Sequence, residues 1–312
     1  MNDIAVSIVI PVHNEEKNLP ELYARITDVM NAGGRSCEII FVDDGSTDTS
    51  LDILKSFTTA DARVVVIELS RNFGQHAAVM AGLARTQGRT VVTIDADLQN
   101  PPEEIPTLLA AIDEGYDVVG GWRVNRGDSI LRILPSRALN SLSAALFGLP
   151  LKDYGCMLRA YRREIVDQIV ACPEVATYIP ALANSFARRV TEVPVAHRPR
   201  AGGASKYSPL RLLRLNFDLI TGFSLLPLQL TVLAGVAVAC GGLLFAIFLF
   251  IRRIIVGPEV EGVFTLFAIL FFFVGLQLLA LGIVGEYVGR IYQQVRRRPP
   301  FVIRGIHTGP RP

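Results

Sequence analysis

Two hydrophobic periods alternate along the first third of the chain. Ala5 to Val12 is a β-rich run closed by Pro11 and the polar group His13-Asn14-Glu15-Glu16, after which Leu19, Leu22, Tyr23, Ile26, Val29 and Met30 recur at helical spacing. That predicts a strand and then an amphipathic helix. The cycle returns as a strand over Glu38 to Val42, a polar turn Asp43-Asp44-Gly45-Ser46-Thr47-Asp48, and a helix on Leu51, Ile53, Leu54 and Phe57. Further strands are expected over Arg63 to Leu69, Thr90 to Ile94 and Asp117 to Val119, with helices over Phe73 to Arg85 and Ile105 to Ile112. Strands alternating with helices imply an α/β fold built on a mostly parallel sheet with flanking helices.

The pattern changes further on. Ser129 to Leu151 sets Ile130, Leu131, Leu134, Leu139 and Leu142 among Arg132 and Arg137, with a break at Pro135. Two short amphipathic pieces in the plane of lipid headgroups fit this, as does an ordinary core-packed helix. Helical spacing resumes over Val175 to Phe186, and Val190 to Val195 reads as a strand whose Pro194 belongs at a sheet edge. Leu219 to Ile251 and Gly262 to Gly285 then contain no charged residue. Each exceeds the ~20 residues that span a bilayer. Pro227 marks the start of the first span, after an interfacial helix carrying Arg211 and Arg214.

Composition agrees with that division. Half of the residues are hydrophobic (50%), too many for an ordinary soluble enzyme of this length. Charge is nearly balanced, 31 basic against 29 acidic side chains, so nucleic acid is not an expected partner. The loop between the spans carries Arg252, Arg253, Glu259 and Glu261, whereas Arg290, Arg296, Arg297, Arg298, Arg304 and Arg311 follow the second. The basic excess places both ends in the cytosol. Cys37, Cys156, Cys172 and Cys240 show no metal-ligand spacing and read as reduced thiols, and Met1 to Ile4 lacks the basic start of a signal peptide.

The chemistry gathers where strands end. Asp95 and Asp97 follow the run Val91 to Ile94, and Pro101-Pro102 forbids the strand from continuing. Two hard oxygen ligands at a strand's carboxyl end suit a Mg²⁺ or Mn²⁺ ion that also holds a diphosphate; a turn capping the next helix fits the same residues. Neither Gly-x-Gly-x-x-Gly nor Gly-x-x-x-x-Gly-Lys-Ser/Thr is present. Instead Pro11 to Glu16 and Asp43 to Ser46 offer acceptors for a base N–H or ribose hydroxyls.

The motifs Pro11 to Glu16, Asp43 to Ser46 and Asp95-Ala96-Asp97-Leu98-Gln99 resemble those of family 2 glycosyltransferases. Asn72-Phe73-Gly74-Gln75-His76, Asp95 to Pro106 and Asp153 to Arg163 narrow the resemblance to the polyprenyl-phosphate glycosyltransferases. It runs from Val6 to about Arg304. The resemblance implies a GT-A-like sheet over residues 1–128 that binds the nucleotide-sugar. It implies an acceptor-side region over 129–218 with interfacial amphipathic helices and a basic loop, two transmembrane helices over 219–285, and a basic cytosolic tail over 286–312.

Carried over, it assigns donor binding to Pro11, Glu15, Asp44, Asp95 and Gln99, with Asp44 on the uracil, and metal binding to Asp95, Asp97 and Gln99. Asp97, Asp153 and Arg123 become the catalytic set, with Arg123 facing the phosphates. Arg137, Arg198, Arg200, Ser205 and Lys206 fall to the acceptor phosphate. His13, where many relatives carry an aromatic hydroxyl, and Ala204, where arabinose-type relatives carry an acid, depart from the pattern.

The implied reaction joins a UDP-sugar, here 4-deoxy-4-formamido-L-arabinose, to undecaprenyl phosphate at the cytosolic face of a bacterial inner membrane, with inversion. A lipid monophosphate has a second pKa of about 6 and is already nucleophilic at neutral pH, so Asp153 is expected to orient the acceptor or an arginine as readily as to remove a proton. Rival readings are a polyprenyl-phosphate glucosyltransferase and a non-catalytic nucleotide-sugar-binding protein. A homo-oligomer, a tetramer by resemblance, is the expected assembly.

Overall fold

The computed structural model describes residues 4–123, 153, 156–172, 179–197, 226–257, 263–296 and 299–309. They fall into two compact units, one drawn from Met1–Lys206 and Arg298–Pro312, the other from Tyr207–Arg297. The first unit contains β1 (Val6–Val12), α1 (Leu19–Gly33), β2 (Cys37–Asp43), α2 (Ser50–Ala60), β3 (Val64–Leu69), α3 (Gln75–Leu83) and β4 (Thr90–Thr93). A 3-10 turn (Pro102–Glu104) then leads into α4 (Ile105–Asp113), β5 (Val118–Arg123), β6 (Arg159–Arg162), α5 (Arg163–Ala171), α6 (Ile179–Phe186) and β7 (Val190–Val195). The second unit is α7 (Leu226–Val256) and α8 (Val263–Val295), after which β8 (Ile303–Thr308) rejoins the first.

One eight-stranded sheet runs in the order β7-β5-β6-β4-β1-β2-β3-β8. Pairings β1–β2, β1–β4, β2–β3 and β5–β7 are parallel, whereas β6 lies antiparallel between β4 and β5, and β8 is antiparallel to β3. Side chains alternate across it as the period of two requires. Ile8, Ile10, Phe41, Val66 and Val92 meet Leu22 and Ile26 of α1, Leu54 of α2 and Leu108 of α4 on one face. Val9, Ile40, Val42, Ile67 and Val91 meet Val79 of α3, Val166 of α5 and Leu182 of α6 on the other. Each such side chain contributes roughly 1.5–3 kcal/mol by leaving water, and a one-residue slip would exchange the two faces. Gly82 lets α3 lie directly on β1, since a Cβ there would stand 2.3 Å from Val9 Cγ1.

Two strands escape the hydrophobic pattern. β6 reads as polar, Arg-Ala-Tyr-Arg, yet Arg159 and Tyr161 are fully buried within it. β8 corrects the expectation of a plain basic tail over 286–312: α8 continues to Val295, and Ile303–Thr308 then adds an edge strand to the sheet. Its hold is electrostatic as well as main-chain. Glu68 of β3 meets His307 Nε2 at 3.0 Å, Arg304 Nη1 at 3.3 Å and Lys55 Nζ at 3.4 Å. Burial alone would raise the Glu68 carboxyl, but the His307 hydrogen bond and the two cations hold it below its ordinary value.

In the second unit, Leu228–Arg252 and Phe272–Gly289 are long and apolar enough to cross a membrane. Their large side chains, Leu233, Phe250, Phe272, Leu279 and Leu281 among them, are exposed. So uniformly apolar a surface suits association with a membrane. The expected interfacial pieces within 129–151 and the helix carrying Arg211 and Arg214 lie outside the described residues, as do residues 173–178 at the start of the Val175 to Phe186 helix. Gly82→Ala is expected to lower stability by about 1–3 kcal/mol through overpacking against Val9; a thermal melt of the detergent-solubilised protein checks it, and an unchanged midpoint would contradict the close approach.

Candidate active site

The strand order reverses direction between β1 and β4: the chain proceeds from β1 to β2 and β3 on one side, then crosses back to β4 on the other. Ligands of open α/β sheets bind at such a switch point, outside the carboxyl ends of the strands. The β1–β4 ladder ends at Val9↔Thr93, and the Ile94 N–H donates to the Val9 carbonyl at 3.1 Å. Backbone groups alternate sides along a strand, so Pro11 turns its nitrogen toward the side where the ladder has already stopped. Its missing N–H leaves nothing unpaired there, which is why proline is tolerated inside a central strand.

Beyond β4 the backbone turns sharply to present Asp95 and Asp97. Leu98 adopts φ 60°, a conformation that leucine rarely takes, with its side chain packed against the sheet core. The Gln99 N–H donates to Asp97 Oδ1 at 3.1 Å and closes the turn. Gln75, at the start of α3, donates from Nε2 to Asp95 Oδ1 at 2.5 Å. Burial, with the nearby Asp97 carboxylate and a smaller push from Glu15, drives Asp95 from 3.8 up to about 7, against the opposing pull of Arg123 and the Gln75 hydrogen bond. Mutually repelling carboxylates of this kind are relieved by a cation. Among the described residues no three His, Cys, Asp or Glu side chains converge to enclose a metal. The pair therefore fits an ion of the Mg²⁺ or Mn²⁺ type, which takes one or two protein carboxylates and completes its shell with phosphate oxygens and water.

On the β2 side, Asp44 is buried, and its two oxygens accept the Phe73 N–H at 2.7 Å and the Gly74 N–H at 2.9 Å. Its immediate work is to fasten the 72–74 loop. Gly45, at φ +64°, permits that approach: a Cβ there would sit 2.6 Å from Arg71 and Asn72 backbone atoms. Asp43, also buried, accepts the Ser46 N–H at 3.3 Å through Oδ2, while its Oδ1 has no hydrogen-bond partner. Burial raises its carboxyl above the ordinary value. His13 Nδ1 donates to the Asp44 carbonyl at 3.0 Å and Nε2 accepts from Asn72 Nδ2 at 3.1 Å, a set that one neutral tautomer satisfies. Glu15 Oε2 accepts from Asn18 Nδ2 at 2.6 Å.

At the end of β5, Arg123 and Asp153 form a two-pronged pair, Nε to Oδ2 at 2.6 Å and Nη2 to Oδ1 at 2.9 Å. Only 3% of Asp153 is exposed, so its carboxylate serves the guanidinium before any ligand. Glu192 Oε1 accepts the Asp153 N–H at 3.2 Å. The buried Arg159 donates to the carbonyls of Asp153 and Cys156, each at 3.0 Å.

The structure thus brings Glu15, Asp95, Asp97, Gln99, Arg123 and Asp153 to one sheet edge, with Pro11 and Asp44 beside them. Arg137, Arg198, Arg200, Ser205 and Lys206 lie outside the described residues. Gln75 and Arg159 stand inside the motifs Asn72 to His76 and Asp153 to Arg163 but carry no role assigned from them, and Glu192 carries no motif signal. Between its ordinary 3.8 and about 7, Asp95 holds a proton in the folded chain that it lacks in the unfolded one, so its contribution to stability is full at low pH and lost as pH rises through 7. The melting temperature of the metal-free protein should therefore fall more steeply from about pH 5 to about pH 8 than that of Asp95→Asn, and added Mn²⁺ should restore it; parallel curves would contradict the shift.

Comparison with known proteins accords with this geometry. Residues 7–170 match the model of glycosyl transferase family 2. The chain is 49% identical over 304 residues to undecaprenyl-phosphate 4-deoxy-4-formamido-L-arabinose transferases of Salmonella paratyphi B and Salmonella typhimurium, a match covering 96% of this chain and 93% of theirs. Its fold resembles glucosyl-3-phosphoglycerate synthase from Mycobacterium tuberculosis, in a complex with Mn²⁺ and UDP-glucose (TM-score 0.52, 22% identity, 70% of this chain and 77% of that one). It also resembles mannosyl-3-phosphoglycerate synthase from Rubrobacter xylanophilus (TM-score 0.53, 16% identity, 70% and 72%). With the family model and near end-to-end relatives in agreement with the sheet-edge carboxylates, the chain belongs to glycosyl transferase family 2.

Proposed function

We propose that this glycosyltransferase moves 4-deoxy-4-formamido-L-arabinose from its UDP conjugate to undecaprenyl phosphate, inverting the anomeric centre, on the cytosolic side of the bacterial inner membrane. The observation that carries the reading is the carboxylate pair Asp95 and Asp97 at the β1–β4 switch point of a chain so similar to transferases named for that reaction. Asp43, with a buried oxygen lacking a partner, and the His13–Asn72 edge supply acceptors and donors for the uridine side. Asp44 acts one step back by holding the 72–74 loop.

Asp95 and Asp97 would hold a divalent ion, which would supply Lewis-acid neutralisation of the charge that develops on the departing UDP. The chain's own residues do the orienting. Arg123, fixed by Asp153, presents a rigid guanidinium plane to a phosphate. A phosphate monoester is largely dianionic at neutral pH, its second pKa being about 6, so attack on the anomeric carbon requires no general base. Asp153, buried and paired, is accordingly a positioning residue and not a proton acceptor. Arg137, Arg198, Arg200, Ser205 and Lys206 complete the proposal as the acceptor-phosphate side. The two apolar helices suit a membrane enzyme whose polyprenyl acceptor keeps its tail in lipid.

Purified protein with Mn²⁺, undecaprenyl phosphate and either UDP-4-deoxy-4-formamido-L-arabinose or UDP-glucose tests this by lipid-product formation. Arabinose product alone, reduced at least about 100-fold by Asp97→Asn, is expected. Glucose product in its place would overturn the sugar, and no lipid product from either donor would overturn the transferase reading.

A further inference from the structure

We propose that Gln75 is a positioning residue for the metal-binding carboxylate Asp95: its side-chain amide fixes the carboxylate plane before any ion arrives. The inference rests on the assignment of Asp95 and Asp97 as the metal-binding pair and deepens it.

Three observations place Gln75 for this task. α3 runs back between the parallel strands β3 and β4, so its first residue stands over their carboxyl ends, where Asp95 emerges. That end is anchored at several points. Gly74, at φ +98°, turns the chain into the helix, the Phe73 and Gly74 N–H groups are held by Asp44, and Gly82 lets the helix body lie against Val9. From this fixed origin the Gln75 amide reaches Asp95 Oδ1 at 2.5 Å.

The chemistry suits an outer-shell partner. Asp97 and Glu15 both repel the Asp95 carboxylate, and an uncharged donor orients it without bringing in a cation that would compete with the metal. A nitrogen donor occupies one lone pair of Oδ1 and leaves the remaining carboxylate lone pairs for an ion. A lysine at this position would neutralise Asp95, and a glutamate would add to the repulsion. Gln75 itself is exposed, so replacing it does not open the core.

The test is Mn²⁺ binding to the full-length protein in detergent at a fixed saturating concentration of UDP, followed by electron paramagnetic resonance of free Mn²⁺. Gln75→Met, close in volume but without a donor, is expected to weaken Mn²⁺ binding about 10-fold or more. In an Asp95→Asn background the same substitution should add little, because the effect runs through Asp95. The metal-free melting midpoint should stay near that of the wild type, which separates positioning from a general structural role. Equal Mn²⁺ affinity for Gln75→Met and wild type would overturn the proposal while leaving the metal site intact. An equal loss with and without Asp95 would also overturn it. Failure of the wild type itself to bind Mn²⁺ would instead remove the metal-site assignment on which it rests.

Discussion

Everything at the active edge answers to one electrostatic constraint: carboxylates crowded into a half-buried crevice where β4 stops. Asp95 and Asp97 lie one residue apart on a turn that the left-handed Leu98 keeps sharp. Glu15 adds negative charge from the neighbouring β1 loop. Such an arrangement is unfavourable by itself, and in the proposed reading a divalent ion bound with a diphosphate would relieve it. Instability of the empty site is thus the counterpart of affinity for the loaded one.

The surrounding structure holds this crowding in place. Polar groups with defined partners surround it: Asp44 on the backbone of Phe73 and Gly74, Arg123 on Asp153, Arg159 on the carbonyls of Asp153 and Cys156. These contacts lie at strand ends, so the rigidity of the sheet passes directly to the side chains that meet ligand. The Asp153–Arg123 pair shows how this decides mechanism. In the proposed mechanism that carboxylate positions the guanidinium, and a phosphate-monoester nucleophile needs no general base.

Much of this was legible in the sequence because period and punctuation agreed. The strands β1, β2 and β4 announce themselves as β-branched runs closed at Pro11, Asp43 or Asp95, and Asp95 and Asp97 stand where the Pro101-Pro102 stop leaves them. What stayed hidden depends on contacts between distant segments. β6 looks polar because its Arg159 is buried on backbone carbonyls and not on another charge, a pairing no local pattern reveals. β8 sits in an arginine-rich stretch with a central glycine and becomes a strand by pairing its main chain with β3, far upstream, where Glu68 also offers its carboxylate to Arg304 and His307. Gln75 was visible as part of a motif, but its aim at Asp95 follows from how tightly α3 lies on β1.

The most direct measurement is a structure of the full-length protein with Mn²⁺ and UDP, with the ion located by its anomalous scattering. The expected result is a Mn²⁺ peak bonded to carboxylate oxygens of Asp95 or Asp97 and to the diphosphate, in the crevice between β1 and β4. A UDP molecule bound elsewhere, or a Mn²⁺ ion that touches neither aspartate, would contradict the account.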